Sequence, residues 1–269
     1  MLATLIALQA ITRLSGNEVT EASGLVASST QRGILWVNND SGDGPYLYAF
    51  DTQGRQKATV AVRGAFALDW EDLASGPFPG KRGSWLYAGD IGDNLKFRNE
   101  VTVYAIPEPK VRPSTKDDPI VSELSIKLPA KYPDGRHNAE TLLCDPKDGR
   151  LTIVTKEPSG VSGVYRFPLS PKPGAVSTLE KVGEFHVPAG GSPLVTGGSF
   201  RPNGSGVALV TYSHLFEFKG REFWKATPEA RPLSGLKQCE SVAYSPDGRT
   251  LWLTSEGKNP PLLHMPSSR

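Results

Sequence analysis

Histidine, cysteine and methionine are scarce in this sequence, with four, two and two residues in a chain of 269. The two cysteines, Cys144 and Cys239, cannot build a disulfide framework and lack metal-ligand spacing; both are expected to be small core residues. Four scattered histidines give zinc no cluster of ligands. No apolar run reaches the length of a membrane span. Charge of one sign is not in excess either. The formal net charge is +2, and no Lys/Arg cluster is flanked by exposed aromatics, so a nucleic-acid partner has no electrostatic support. Helical periodicity is missing as well, because Pro and Gly interrupt nearly every long window. There is no G-x-S-x-G elbow, P-loop or dinucleotide fingerprint.

What the chain does have is evenly spread punctuation: 28 glycines and 23 prolines without any low-complexity stretch. That pattern predicts many short strands joined by turns within one domain, residues 1–269. A hairpin of strand, Pro/Asp/Asn/Gly turn and second apolar strand recurs five times. It reads SGLVASSTQRGILWVNND (23–40), EDLASGPFPGKRGSWLYAGD (71–90), ETLLCDPKDGRLTIVTKE (140–157), GSFRPNGSGVALVTY (198–212) and ESVAYSPDGRTLWLTSEG (240–257). Each copy is followed by material for two more strands, such as 45–50 and 57–64, 102–107 and 121–128, 163–169 and 182–187, or 214–220 and 231–235. The fifth copy has a third strand at 261–266 but no fourth. The apolar start of the chain, MLATLIALQA, has the length of a signal-peptide core but no preceding basic residue. A strand over 7–14 closing the fifth blade is the preferred reading, since ring closure removes an exposed edge. The sequence therefore predicts an all-β, five-bladed propeller; a six-bladed propeller and a β-sandwich are the alternatives.

In a propeller the start of each blade's first strand and the end of its second lie on one face. First-strand starts carry Ser23, Glu71, Glu140, Gly198 and Glu240. Second-strand ends carry Asp40, Asp90, Lys156, Tyr212 and Glu256. Adjoining loops add Asp69, Asp93, Asn94, Arg98, His137 and Asn138. The PDGR-like turns fall on the opposite face. Carboxylates converging on a narrow channel repel one another unless a hard cation, a basic partner or a proton intervenes. Ca²⁺ suits an all-oxygen site best. NNDSGDG (38–44) lacks the spacing of an EF-hand loop and by itself reads as a hydrogen-bonded turn.

NDSG (39–42), DWED (69–72), GDIGDN followed by Arg98, YPDG then NAE (132–140), VTK (154–156), VTGG (195–198), CES (239–241) and SEG (255–257) together resemble a largely uncharacterised bacterial β-propeller family. Its members are often exported and look distantly similar to phytase-like esterase and lactonase propellers. The resemblance implies a propeller fold, an extracytoplasmic location and, by analogy, a calcium ion at the channel mouth. Where that pattern has an acidic residue after VTG, this chain has Gly198 and Ser199, which predicts a gap in the fourth blade. Two readings of function stay open. One is a metal-dependent hydrolase of a small ester, lactone or phosphoester. Its metal would be held by Glu71, Asp90, Glu140 and Glu240, with Glu256 or His137 as base and Lys156 or Arg98 steadying a developing anion. Asp40, Asp69, Asp93, Asn94, Asn138 and Tyr212 would then contact the ligand. The other reading is a non-catalytic binding propeller using the same face. The expected partner at the channel mouth is a small-molecule ligand or substrate, a binding propeller would recognise a ligand or a protein there, and the expected state is a monomer.

Overall fold

Each of the five hairpins forms the two inner strands of a blade. The computed structural model describes residues 10–268. Blade one comprises Ala22–Ala27, Ile34–Asn39, Tyr46–Asp51 and Gln56–Ala61, and blade two Trp70–Gly76, Trp85–Asp90, Val101–Pro107 and Ile126–Lys131. Blade three comprises Ala139–Cys144, Leu151–Thr155, Val161–Arg166 and Glu180–His186, and blade four Val195–Phe200, Gly206–Thr211, His214–Lys219 and Glu229–Pro232. Blade five pairs Cys239–Tyr244, Thr250–Ser255 and Pro261–Pro266 with Ala10–Arg13, the last in antiparallel register with Ala10 opposite His264. The chain is thus a five-bladed β-propeller closed by an N-terminal strand. Residues 7–9 of the expected closing strand lie outside the described residues.

Five hydrophobic clusters hold the ring together, one between each pair of adjacent blades. The strand Trp85–Asp90 shows how. Leu86 and Ala88 face blade one, while Trp85 and Tyr87 face blade three, so the whole strand is buried. Sheets covered on both faces read as continuous apolar runs, which is why a polar/apolar alternation is weak in the inner strands. Cys144 and Cys239 are buried and unpaired within these clusters, and Trp36, Trp70 and Trp85 are core residues.

Two boundaries differ from expectation. The outer strand of blade two begins at Ile126 instead of residue 121, and Ile120–Val121 pairs in parallel with the outer strand of blade one. Ser177–Thr178 likewise pairs with the outer strand of blade two. These two short segments cover edges that would otherwise expose backbone hydrogen-bonding groups.

Candidate functional site at the channel mouth

Each inner strand carries a register shift near its start, and the shift decides which side chain enters the channel. In blade two, Trp70 opposes Asp90 and Asp72 opposes Gly89, leaving Glu71 unpaired. Glu140 in blade three and Glu240 in blade five are the corresponding extra residues. A bulge of this kind re-aims a side chain and ends regular pairing. The equivalent residue of blade four is Thr196, not Gly198, because the shift falls between Val195 and Gly197. Its hydroxyl donates to the Cys239 carbonyl at 2.7 Å, so this position joins blade four to blade five and supplies no carboxylate.

The neighbouring residues fall into distinct roles. Arg98 ion-pairs with Asp90 at 2.8 Å and donates to the Gly92 carbonyl at 2.7 Å. Asp93 accepts the amides of Phe97 (2.9 Å) and Arg98 (2.8 Å), and its own amide donates to the Asn138 side chain at 2.7 Å. Asn138 in turn donates to Asn94 at 3.1 Å. These five residues knit the loops of blades two and three. His137 sits apart from the channel carboxylates, within reach of Asp134 (3.1 Å), the Tyr165 hydroxyl (3.1 Å) and Glu157 (3.4 Å). Lys156 ion-pairs with Glu140, and its ammonium lies 5.1 Å from the centre of the Tyr212 ring. Gln238 donates to Glu256 at 3.3 Å.

One carboxylate trio remains. Oxygens of Asp40, Asp69 and Glu71 all lie within 4.8 Å of one another. Among the residues expected to hold a metal, the trio includes Glu71, while Arg98 engages Asp90 and Lys156 engages Glu140. Burial pushes Glu71 well above the ordinary carboxyl range, and the charges of Glu140, Asp40 and Asp69 add to this. Asp69 rises to about 6, through burial and then the proximity of Asp40. Glu140 rises to about 7 through burial, against the pull of Lys156. Burial lowers Lys156, yet the Glu140 carboxylate more than reverses this and keeps the ammonium charged. Glu240 is pushed up to about 10 by burial, Glu140 and Glu256, and is hydrogen-bonded to Glu256. It therefore carries a proton at neutral pH. Among the described residues its Oε1 is buried with no hydrogen-bond partner, as are the hydroxyls of Thr141 and Ser241. Buried polar atoms without partners are costly.

Two features, the roles of Asp72 and Gly92, escaped the sequence reading, while the hydrogen-bonded turn expected at NNDSGDG is present. Asp72, next to the bulged Glu71, is almost fully buried and accepts the amides of Leu73 (2.8 Å) and Leu142 (3.0 Å), bridging blades two and three. Asp43 collects Asn39 (2.7 Å), the Tyr48 hydroxyl (2.6 Å) and Lys116, which makes the NNDSGDG segment a braced turn. Gly92 leaves room for the trio, since a Cβ there would overlap the carboxylates of both Glu71 and Asp69. Gly92→Ala is accordingly expected to separate these groups and, if a divalent cation binds between them, to weaken its affinity at least tenfold, measurable by calorimetric titration. Unchanged affinity would remove Asp69 and Glu71 from any cation site.

No family model matches the chain, and no curated protein is similar to it by sequence. Solved structures are similar in fold. Two of a glucose dehydrogenase superpose with TM-scores of 0.51 and 0.50 at 12% identity, covering 96% of this chain and 100% of theirs. The WD40 repeats of RRP9 give a TM-score of 0.48 at 11% identity, covering 96% and 97%. At this identity the likeness extends to the propeller fold alone, which hosts both enzymes and binding proteins.

Proposed function

We propose that the channel mouth binds a divalent cation, Ca²⁺, through Asp40, Asp69 and Glu71, and that the protein is a hydrolase of small esters, lactones or phosphoesters. The observation that carries the first step is the oxygen trio. Oxygens that all lie within 4.8 Å of one another are close enough to share one calcium ion at bonds of about 2.4 Å. The three ways of relieving carboxylate crowding are divided among different residues. Asp90 and Glu140 have ion-pair partners and Glu240 holds a proton, whereas the trio has no ion pair of its own and its burial and mutual repulsion raise Glu71 and Asp69. A bound cation would polarise a carbonyl or phosphoryl oxygen.

The remaining chemistry belongs to this chain's own groups. Glu256, beside the protonated Glu240, can itself take and hold the proton of an attacking water. Lys156 stays cationic and faces the channel beside Tyr212, where it can steady a developing anion. Arg98 acts as a positioning residue, because its guanidinium is spent on Asp90 and the Gly92 carbonyl. His137, held by Asp134 and Tyr165, serves the loop in this reading and not the reacting atoms.

The test is turnover of an ester, lactone and phosphoester panel in calcium and in EDTA. Activity should require calcium and fall by two to three orders of magnitude in Glu256→Gln, with calcium affinity retained. No turnover of any substrate, with calcium still bound, would favour a non-catalytic binding propeller.

A further inference from the structure

On the face opposite the channel mouth, blades three and four enclose a hollow of about 380 Å³ in which Arg150, Arg166 and Arg221 meet. That volume falls within the range of small-molecule sites, about 300–1,000 Å³. Arg150 closes the turn between the inner strands of blade three, and Arg166 ends the third strand. Arg166 opposes Thr152, two residues beyond Arg150, so the alternation of side chains puts both arginines on one side of the sheet. The same side carries Val154 and Val164, which share a core cluster with Val207 and Phe218 of blade four. Arg221 comes from the turn after blade four's third strand.

Carboxylates also line the hollow, but they are already engaged. Arg221 ion-pairs with both Asp145 and Asp148, and Glu222 pairs with Lys225 at 3.1 Å. Among the described residues, Arg150 and Arg166 have no carboxylate within ion-pair distance, and the Nε of each is buried without a hydrogen-bond partner. The Arg166 guanidinium is held in place, its Cζ lying 4.5 Å from the centre of the Trp224 ring. Burial and then the Arg150 charge pull Arg166 below the ordinary guanidinium range, although it stays charged. A guanidinium offers donors and no acceptor, so the group that satisfies both arginines is an anion with several oxygens.

We propose that this hollow binds the phosphate group of a small phosphomonoester through Arg150 and Arg166, as a site separate from the channel mouth. A phosphomonoester carries a charge of about −1.5 to −2 at neutral pH, which matches two unpaired guanidinium groups. A carboxylate would neutralise only one of them. The hollow is large enough to take the organic part of such a molecule beside its phosphate. The site is independent of the cation reading and stands or falls without it.

Calorimetric titration in EDTA, which empties any cation site at the mouth, tests the idea with inorganic phosphate, glycerol 3-phosphate and acetate. Both phosphates should bind, and acetate should bind about tenfold more weakly or worse. Arg150→Gln and Arg166→Gln should each weaken phosphate binding by about tenfold or more. Arg150→Gln keeps the contact between Arg166 and Trp224 and removes one of two charges that repel each other. Without phosphate it should therefore melt no lower than the wild type, and it should lose the rise in melting temperature that phosphate gives the wild type. No binding at millimolar phosphate, acetate matching phosphate, or phosphate affinity unchanged in both variants would overturn the site. So would an Arg150→Gln variant melting well below the wild type without phosphate, because Arg150 would then already have its partner within the fold.

Discussion

Saturating calcium is expected to raise the melting temperature by about 5–10 °C at pH 8, and EDTA to bring it back. A ligand at 100 times its dissociation constant stabilises the native state by about 2.7 kcal/mol. For a domain of this size each kcal/mol moves the midpoint by about 2–4 °C. The effect has a definite pH dependence. Carboxyls whose native values lie above their unfolded ones hold protons that the unfolded chain has released, so stability falls as pH rises between the two values. Asp69 at about 6, Glu140 at about 7 and Glu240 at about 10 place that window between roughly pH 4 and 10. In EDTA the melting temperature should therefore decline from pH 5 to pH 9. Calcium requires deprotonated ligands, so its stabilisation should be small at pH 5 and largest above pH 7. A melting temperature indifferent to both calcium and EDTA across this range would end the case for a cation.

Replacing Glu217 by Ala should cost about 3 kcal/mol, or roughly 6–12 °C in melting temperature. Its side chain is 2% exposed and accepts from Arg201 (3.3 Å), Arg231, the Tyr244 hydroxyl (2.9 Å) and the Ser268 amide (2.9 Å). Tyr244 ends the inner strand of blade five, and Ser268 follows that blade's third strand. Glu217 thus fastens blade four to blade five, and to the chain end beyond it. Alanine leaves two guanidinium groups facing each other without their shared anion, and breaking a buried pair from one side is the costly direction. The arginines keep some solvent contact, with side chains 18% and 24% exposed, which sets the figure at the low end of the usual range. Glu217→Gln keeps an acceptor for Tyr244 and Ser268 and should lose less. Urea denaturation checks both, and a loss below about 1 kcal/mol for alanine would show that the blade contact does not depend on this carboxylate.

Much of the fold was open to reading before any coordinates. The hairpins at 23–40, 140–157 and 240–257 declare themselves through turn residues and β-branched flanks, all of them local. The closing strand was legible for a different reason: blade five runs out of chain, and an unpaired edge calls for a partner. The outer strand of blade two was misplaced because residues 120–121 and 126–131 are both short apolar segments. Only the position of blade one's edge decides that the former pairs there.

The candidate site divides in the same way. Spacing along the hairpins puts Glu71, Glu140, Glu240, Asp40 and Lys156 on one face, because strand direction and register follow from turn positions. Which carboxyl meets which partner does not follow from spacing. Bulges single out Glu71, Glu140 and Glu240, and substitute Thr196 for the residue expected in blade four. Glu217 gave no signal at all, since a lone Glu in HLFEFKG reads as an outward-facing strand position until blade five packs against it. The sequence by itself determined the strands, the five-fold repeat and the acidic face, all set by short-range turn chemistry and periodicity. Only the closed ring decided that Asp40 from blade one meets Asp69 and Glu71 from blade two, and that Glu140 pairs with Lys156, since Coulomb energy and burial depend on distances through space that the order of residues does not contain.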